Sequence, residues 1–222
     1  MTVSAVQQQR TDPDPPDLPT AAAGAFRAIT PERILDTRIG LGAEGPIQAN
    51  GMFTLQVTGR AGVPLGGVPG TVQIRNGSAG TVEVIADVTG YYLAGAATRS
   101  GTFAPVPPAR ELETRSSLGV VGPVAPQSEI SVQFAGQGGV PPEGAAAVAL
   151  NVTVTGSTDA GYIQAYPGGT PPPTGSSLNF VAGQTVPNLV VVPIGADGTT
   201  TLNNGSPGTV QLIGDVYGYV LS

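Results

Sequence analysis

NGSAGTVEVIADVTGYYL (Asn76–Leu93) returns as NGSPGTVQLIGDVYGYVL (Asn204–Leu221), 128 residues later. A second echo lies upstream of each: RILDTRIGLGAEGP (Arg33–Pro46) and RELETRSSLGVVGP (Arg110–Pro123), offset by 77 residues. The two offsets differ by 51, so the copies share a beginning and an end but not a middle. The first copy reads as the second with its centre removed.

The repeated endings are short Val/Ile/Thr runs punctuated by glycine, and the rest of the 222-residue chain follows the same pattern. Gly and Pro number 33 and 22. They bound the apolar runs in the manner of strands and tight turns, with no collagen period. No window sustains a 3.6-residue apolar period, so almost no helix is expected. Strands are expected at RILDTR, FTLQVTG, TVQIRNG and TVEVIADVTGYYL in the first copy, with counterparts at both ends of the second. The block found only in the second copy adds AAVALNVTVTG, GYIQAYPGG, SSLNFVAGQ and NLVVVPIGADG. In VALNVTV, Val148, Leu150, Val152 and Val154 fall on one face. GADGTTTL and NNGSPGTV are expected to be hairpin turns, with Asp-Gly and Asn-Gly supplying positive φ.

The expected fold class is all-β, with antiparallel β-sandwich domains of jelly-roll or immunoglobulin-like type. The expected division is an extended Pro-rich N-terminal arm over residues 1–25, a shortened repeat over 26–93, a small-residue linker over 94–102, and a complete sandwich over 103–222. Four or five strands hardly close a sandwich that the longer copy builds from eight or nine. The short copy should therefore leave an apolar face and strand edges uncovered. The second copy, the arm or another subunit must cover it, and another subunit is the expectation, making the protein a homo-oligomer.

What is missing narrows the chemistry. There is no Cys, His, Trp or Lys, and all nine cationic side chains are Arg. Disulfides, thiolate sites, a histidine base and a Ser–Lys pair are excluded. Net charge is −6 and the arginines are scattered, which speaks against a nucleic-acid or anionic-membrane partner. The first residues lack a basic start followed by an apolar core, so no secretory signal is expected. No run approaches the roughly 18 apolar residues of a membrane span.

Two sets of side chains are candidates for a role. On the RILDTR strand Asp36 and Arg38 share a face. With Arg33 and Asp87, and with Arg110, Glu113, Arg115 and Asp215 in the second copy, they are expected to form structural ion pairs tying the first strand of each repeat to its last. Glu113 in place of Asp36 keeps charge but changes reach, which suits an ion pair better than a catalytic acid. Tyr162, Gln164 and Tyr166 in GYIQAYP alternate onto one strand face and could form a shallow sugar platform, or else pack the sheet. GADGTT offers one Asp, far short of a calcium cage. No catalytic residue, metal or cofactor is expected.

The markers GQGGVP, VALNVTVTG, GYIQAYPGGTPPP, SSLNFVAGQTVPNLVVVPIGADG and NNGSPGTVQLIGDVYGYV, in that order, resemble a repeat of secreted and cell-surface proteins of actinobacteria. The resemblance implies a β-rich surface module and carries over no catalytic residue. The truncated first copy and the missing export signal depart from that pattern. They suggest a phage of such hosts as the user of the module, in a capsid decoration or tail-surface protein. The expected function is thus a non-enzymatic structural protein at the virion surface, with other virion proteins such as the major capsid protein as partners. The alternative is an extracellular cell-envelope module binding wall glycan or peptidoglycan.

Overall fold

The chain is described by a computed structural model over residues 22–65 and 70–222, and most of the expected N-terminal arm lies outside those residues. The described residues carry twelve strands and, as their only helical element, a single 3-10 turn at Thr114–Ser116. The fold is all-β and antiparallel, consistent with a β-sandwich.

The long segment carries eight strands: β5 (Phe103–Glu113), β6 (Ser128–Gln133), β7 (Ala145–Thr155), β8 (Gly161–Pro167), β9 (Leu178–Phe180), β10 (Val186–Pro193), β11 (Thr199–Asn204) and β12 (Gln211–Leu221). They form two four-stranded sheets, ordered β10-β7-β12-β5 and β6-β11-β8-β9. Period-two alternation explains the core. On β7, Val148, Leu150, Val152 and Val154 are buried, while Asn151, Thr153 and Thr155 on the other face are partly exposed. Leu112, Ile163, Leu202, Leu212 and Val216 close on them from the surrounding strands, and Phe134 from just beyond β6. Burying side chains of this size stabilises the fold by about 1.5–3 kcal/mol each, before chain entropy is set against it.

The short segment carries four strands: β1 (Phe26–Asp36), β2 (Met52–Gln56), β3 (Thr71–Arg75) and β4 (Ile85–Tyr92). The RILDTR strand is the end of the longer β1. β1 pairs with β4 as β5 pairs with β12, and β2 with β3 as β6 with β11. Small bridges repeat too: Asp36 with Leu41 matches Glu113 with Leu118, and Ile47 with Val82 matches Val124 with Val210. The copies stay in step through Pro64 and Pro141 and rejoin at Gly70 and Gly198. The block between those points in the long segment holds β7, β8, β9 and β10. The short segment is therefore one half of the long one, cut along the middle of both sheets.

The two expected hairpins differ in the structure. GADG joins β10 to β11 and NNGSPG joins β11 to β12, and in each case the two strands belong to different sheets. Gly198 takes φ of +82°, but Gly205 does not adopt positive φ. A link that crosses between sheets is an arch, and a side chain shapes this one. Asn204 is buried, donates from Nδ2 to the carbonyls of Ala125 (2.9 Å) and Gly208 (2.8 Å), and accepts at Oδ1 from the Ser206 N–H (3.0 Å). Asn76 repeats this with Gln48, Gly80 and Ser78. The repeated NGS marks these arches.

The segments meet through backbone and rings. The Phe103 N–H donates to the Gly24 carbonyl at 2.9 Å. The Tyr92 ring stands between Phe26 and Phe103, with centroids 5.2 and 4.6 Å away. Phe26 lies over Gly90 and Phe103 over Gly218, so close that a β-carbon on either glycine would sit 2.3 Å from the ring.

Candidate functional site

The expected ion-pair residues come together in two matching clusters. Arg33 on β1 reaches Asp87 on β4 with two nitrogens, at 2.9 and 3.3 Å, and Asp36 at 3.3 Å. Arg38 holds Asp36 in turn, at 2.9 and 2.7 Å. In the long segment Arg110 spans Asp215 (2.8 and 3.3 Å) and Glu113 (3.1 Å), and Arg115 holds Glu113 at 2.6 and 2.7 Å. The carboxylates of Asp36 and Glu113 are buried and every guanidinium is about half exposed. A guanidinium on a long stem can lie across the surface and still close over a buried acid. Hydrogen bonds from Arg38 pull Asp36 down to about 2, and those from Arg115 lower Glu113 below the ordinary glutamate value. Asp87 is lowered likewise by Arg33. Carboxyls held this low are ionised at neutral pH and keep no proton for general-acid work.

The sugar platform does not form. Gln164 and Tyr166 are buried, and only Tyr162 remains partly exposed, its ring over Gly205. The Pro-rich loop after β8 folds back across the strand. Gln164 donates to the Pro173 carbonyl and accepts from Asn203 Nδ2 at 2.8 Å, and Ser177 Oγ accepts from the Ala165 N–H at 3.0 Å. Tyr166 donates its hydroxyl to Glu129, and burial followed by that carboxylate raises it to about 12. In GADGTT, Asp197 Oδ1 accepts from the Thr199 N–H and hydroxyl, so it shapes the turn. Among the described residues no group of three or more acidic side chains is placed to hold a metal ion.

The feature that stands out is the cut side of the short segment. Among the described residues β4 pairs only with β1, and β3 only with β2. On the long segment the same edges of β12 and β11 carry β7 and β8. Val82, Val84, Val88 and Ile74 are therefore only partly covered, whereas their counterparts Val210, Leu212, Val216 and Leu202 are fully buried. Ile85 is 43% exposed and Ile213 8%. The contiguous core of the short segment reduces to Ile34, Leu35 and Leu55 with partly buried neighbours, and Ile47 and Val63 are buried apart from it. The sequence carried this in its mismatched offsets, although the strand edges involved became visible only with the pairing.

A second exposed surface gave no signal in the sequence. Tyr92, Phe103, Ala149, Asn151, Leu189, Val191 and Tyr217 line an open groove of about 380 Å³ where the segments meet on the outer face of β10-β7-β12-β5. Leu189 and Val191 are more than half exposed there. On β10 Val192 is buried, while Leu189 and Val191 face outward.

Compared with known proteins, the chain matches no family model, no curated sequence and no solved structure.

Proposed function

We propose that this protein is a non-enzymatic structural subunit of a bacteriophage surface, as a capsid decoration or tail-surface protein, and that its short segment is a joint completed by another polypeptide. The observation that carries the reading is the pair of edges on β4 and β3 that stay unpaired among the described residues, at the positions the long segment fills with β7 and β8. Free edges beside half-covered apolar residues favour association, and a monomer that kept them bare would be prone to aggregate. The phage setting rests on the resemblance to actinobacterial surface repeats together with the truncated copy. Other virion proteins, the major capsid protein among them, are the partners it implies.

The reading is tested by light scattering on the full chain beside a pull-down on actinobacterial cell walls. A stable multimer that ignores the walls supports it, and a monomer that sediments with the walls overturns it. That second result would favour an envelope glycan-binding module, for which the groove lined by Tyr92, Phe103, Tyr217 and Asn151 offers aromatic faces and an amide.

A further inference from the structure

We propose that the partner of the short segment is the short segment of a second copy of this chain, joined about a two-fold axis to rebuild an eight-stranded sandwich. This rests on the assembly reading above and names the occupant of the same edges.

The strand order of the long segment fits such an axis. Its sheets run β10-β7-β12-β5 and β9-β8-β11-β6, every neighbouring pair is antiparallel, and β10 packs against β8 and β9 across the core. Antiparallel neighbours are exchanged by a two-fold perpendicular to the sheet. One such axis, passing between β12 and β7 and between β11 and β8, exchanges β12 with β7, β5 with β10, β11 with β8 and β6 with β9. The strands cut from the short segment are thus the two-fold image of the strands it keeps.

A second short segment placed by that operation restores the order: β1-β4 joins the partner's β4-β1 in one sheet, and β2-β3 the partner's β3-β2 in the other. Such an interface is self-complementary and closes as a dimer, with no edge left on the joined side. The side chains suit it. Asp87 is the only charged residue of β4, and a two-fold at Val88 sets it opposite the partner's Thr89 rather than a second carboxylate. On β3 the only charge is Arg75, at the end of the strand. Val82, Val84, Val88 and Ile74 then gain the cover that Val210, Leu212, Val216 and Leu202 have.

Absence of native cysteine makes the test direct. Single cysteines are placed on the full chain at Ala86, Asp87, Val88 and Thr89, with Arg27→Cys on β1 as a control away from the axis, and each variant is oxidised mildly. Facing residues of an antiparallel pair lie about 4.5–5.5 Å apart at Cα, within disulfide reach only next to the axis. The expected result is a native mass of twice 22.1 kDa or a multiple of that pair. A disulfide-linked dimer should peak at one β4 position and be absent from Arg27→Cys. Thr89, an exposed side chain, keeps the test valid should Val88→Cys fold poorly. A multimer in which no β4 cysteine links to itself overturns the two-fold joint and leaves the assembly reading standing. A monomer overturns both.

Discussion

Thr200 and Val72 occupy the same place in the repeat, and the comparison yields a prediction about one oxygen. Thr200 Oγ1 is buried without a hydrogen-bond partner, and it is the only such side-chain atom among the described residues. A buried hydroxyl left unpaired costs about 1–3 kcal/mol, and valine has nearly the same shape. Thr200→Val, the residue the short copy already carries, is expected to stabilise the long segment by about 1 kcal/mol, read as a higher urea midpoint at unchanged slope. No change or a loss would mean that the hydroxyl is satisfied in solution. The acids make a second prediction. Asp36 and Glu113 titrate lower folded than unfolded, so the stability they contribute is complete above the ordinary carboxyl value near 4. For Asp36 it is lost as pH falls toward about 2. Asp36→Asn and Glu113→Gln should lower the melting temperature at pH 7 and flatten its fall between about pH 5 and pH 2. Tyr166 works in the opposite direction. Its folded value near 12 lies above the ordinary tyrosine value, so its contribution is complete below about pH 10 and fades as pH rises to about 12. Tyr166→Phe should remove that alkaline step from a pH series of melting temperatures.

The strands were legible wherever alternation was clear. β7 shows it plainly, because Val148, Leu150, Val152 and Val154 are all driven inward by one sheet face. The arches were not legible. NNGSPG and GADG have the composition of a two-residue hairpin, and only the pairing of β11 and β12 with different neighbours reveals a crossing between sheets. The sugar platform failed for a similar reason: the loop after β8 folds back onto Gln164, while Tyr166 reaches Glu129 on β6, and the composition of GYIQAYPGGTPPP signals neither contact. The ion-pair partners were legible because the repeat presents them twice, but which member is buried depends on packing. These elements differ in what they can tolerate. Asn204→Ala removes a buried amide that holds three segments of an arch together, leaving the Ala125 and Gly208 carbonyls without that donor. It should cost about 1–3 kcal/mol. Leu150→Ala, at a fully buried position in the middle of β7, should cost about 2–5 kcal/mol. Leu55→Ala in the three-residue core of the short segment should cost less in a chemical-denaturation series, because partly covered neighbours can close around the gap. An equal loss at Leu55 and Leu150 would show that the short core is as well enclosed as the long one.

At the scale of the molecule, one chain carries a long segment of two four-stranded sheets and a short segment of two two-stranded ones, and their stabilities should respond differently to concentration. The long segment closes its own core, so its unfolding involves a single chain and its midpoint should not move with protein concentration. Four strands around Ile34, Leu35 and Leu55 are close to the lower limit for independent folding, so the short segment takes much of its stability from whatever covers β3 and β4. If a second copy covers them, mass action adds about 1.4 kcal/mol per dimer, or about 0.7 kcal/mol per segment, for each tenfold rise in concentration well above the dissociation constant. Calorimetry across such a dilution series should then show two transitions, the lower one moving up with concentration and the upper one fixed. Thr200→Val should shift only the upper transition and Leu55→Ala only the lower. A single transition that ignores concentration would mean that the short segment is closed within its own chain, and the free edges of β3 and β4 would lose their meaning as a joint.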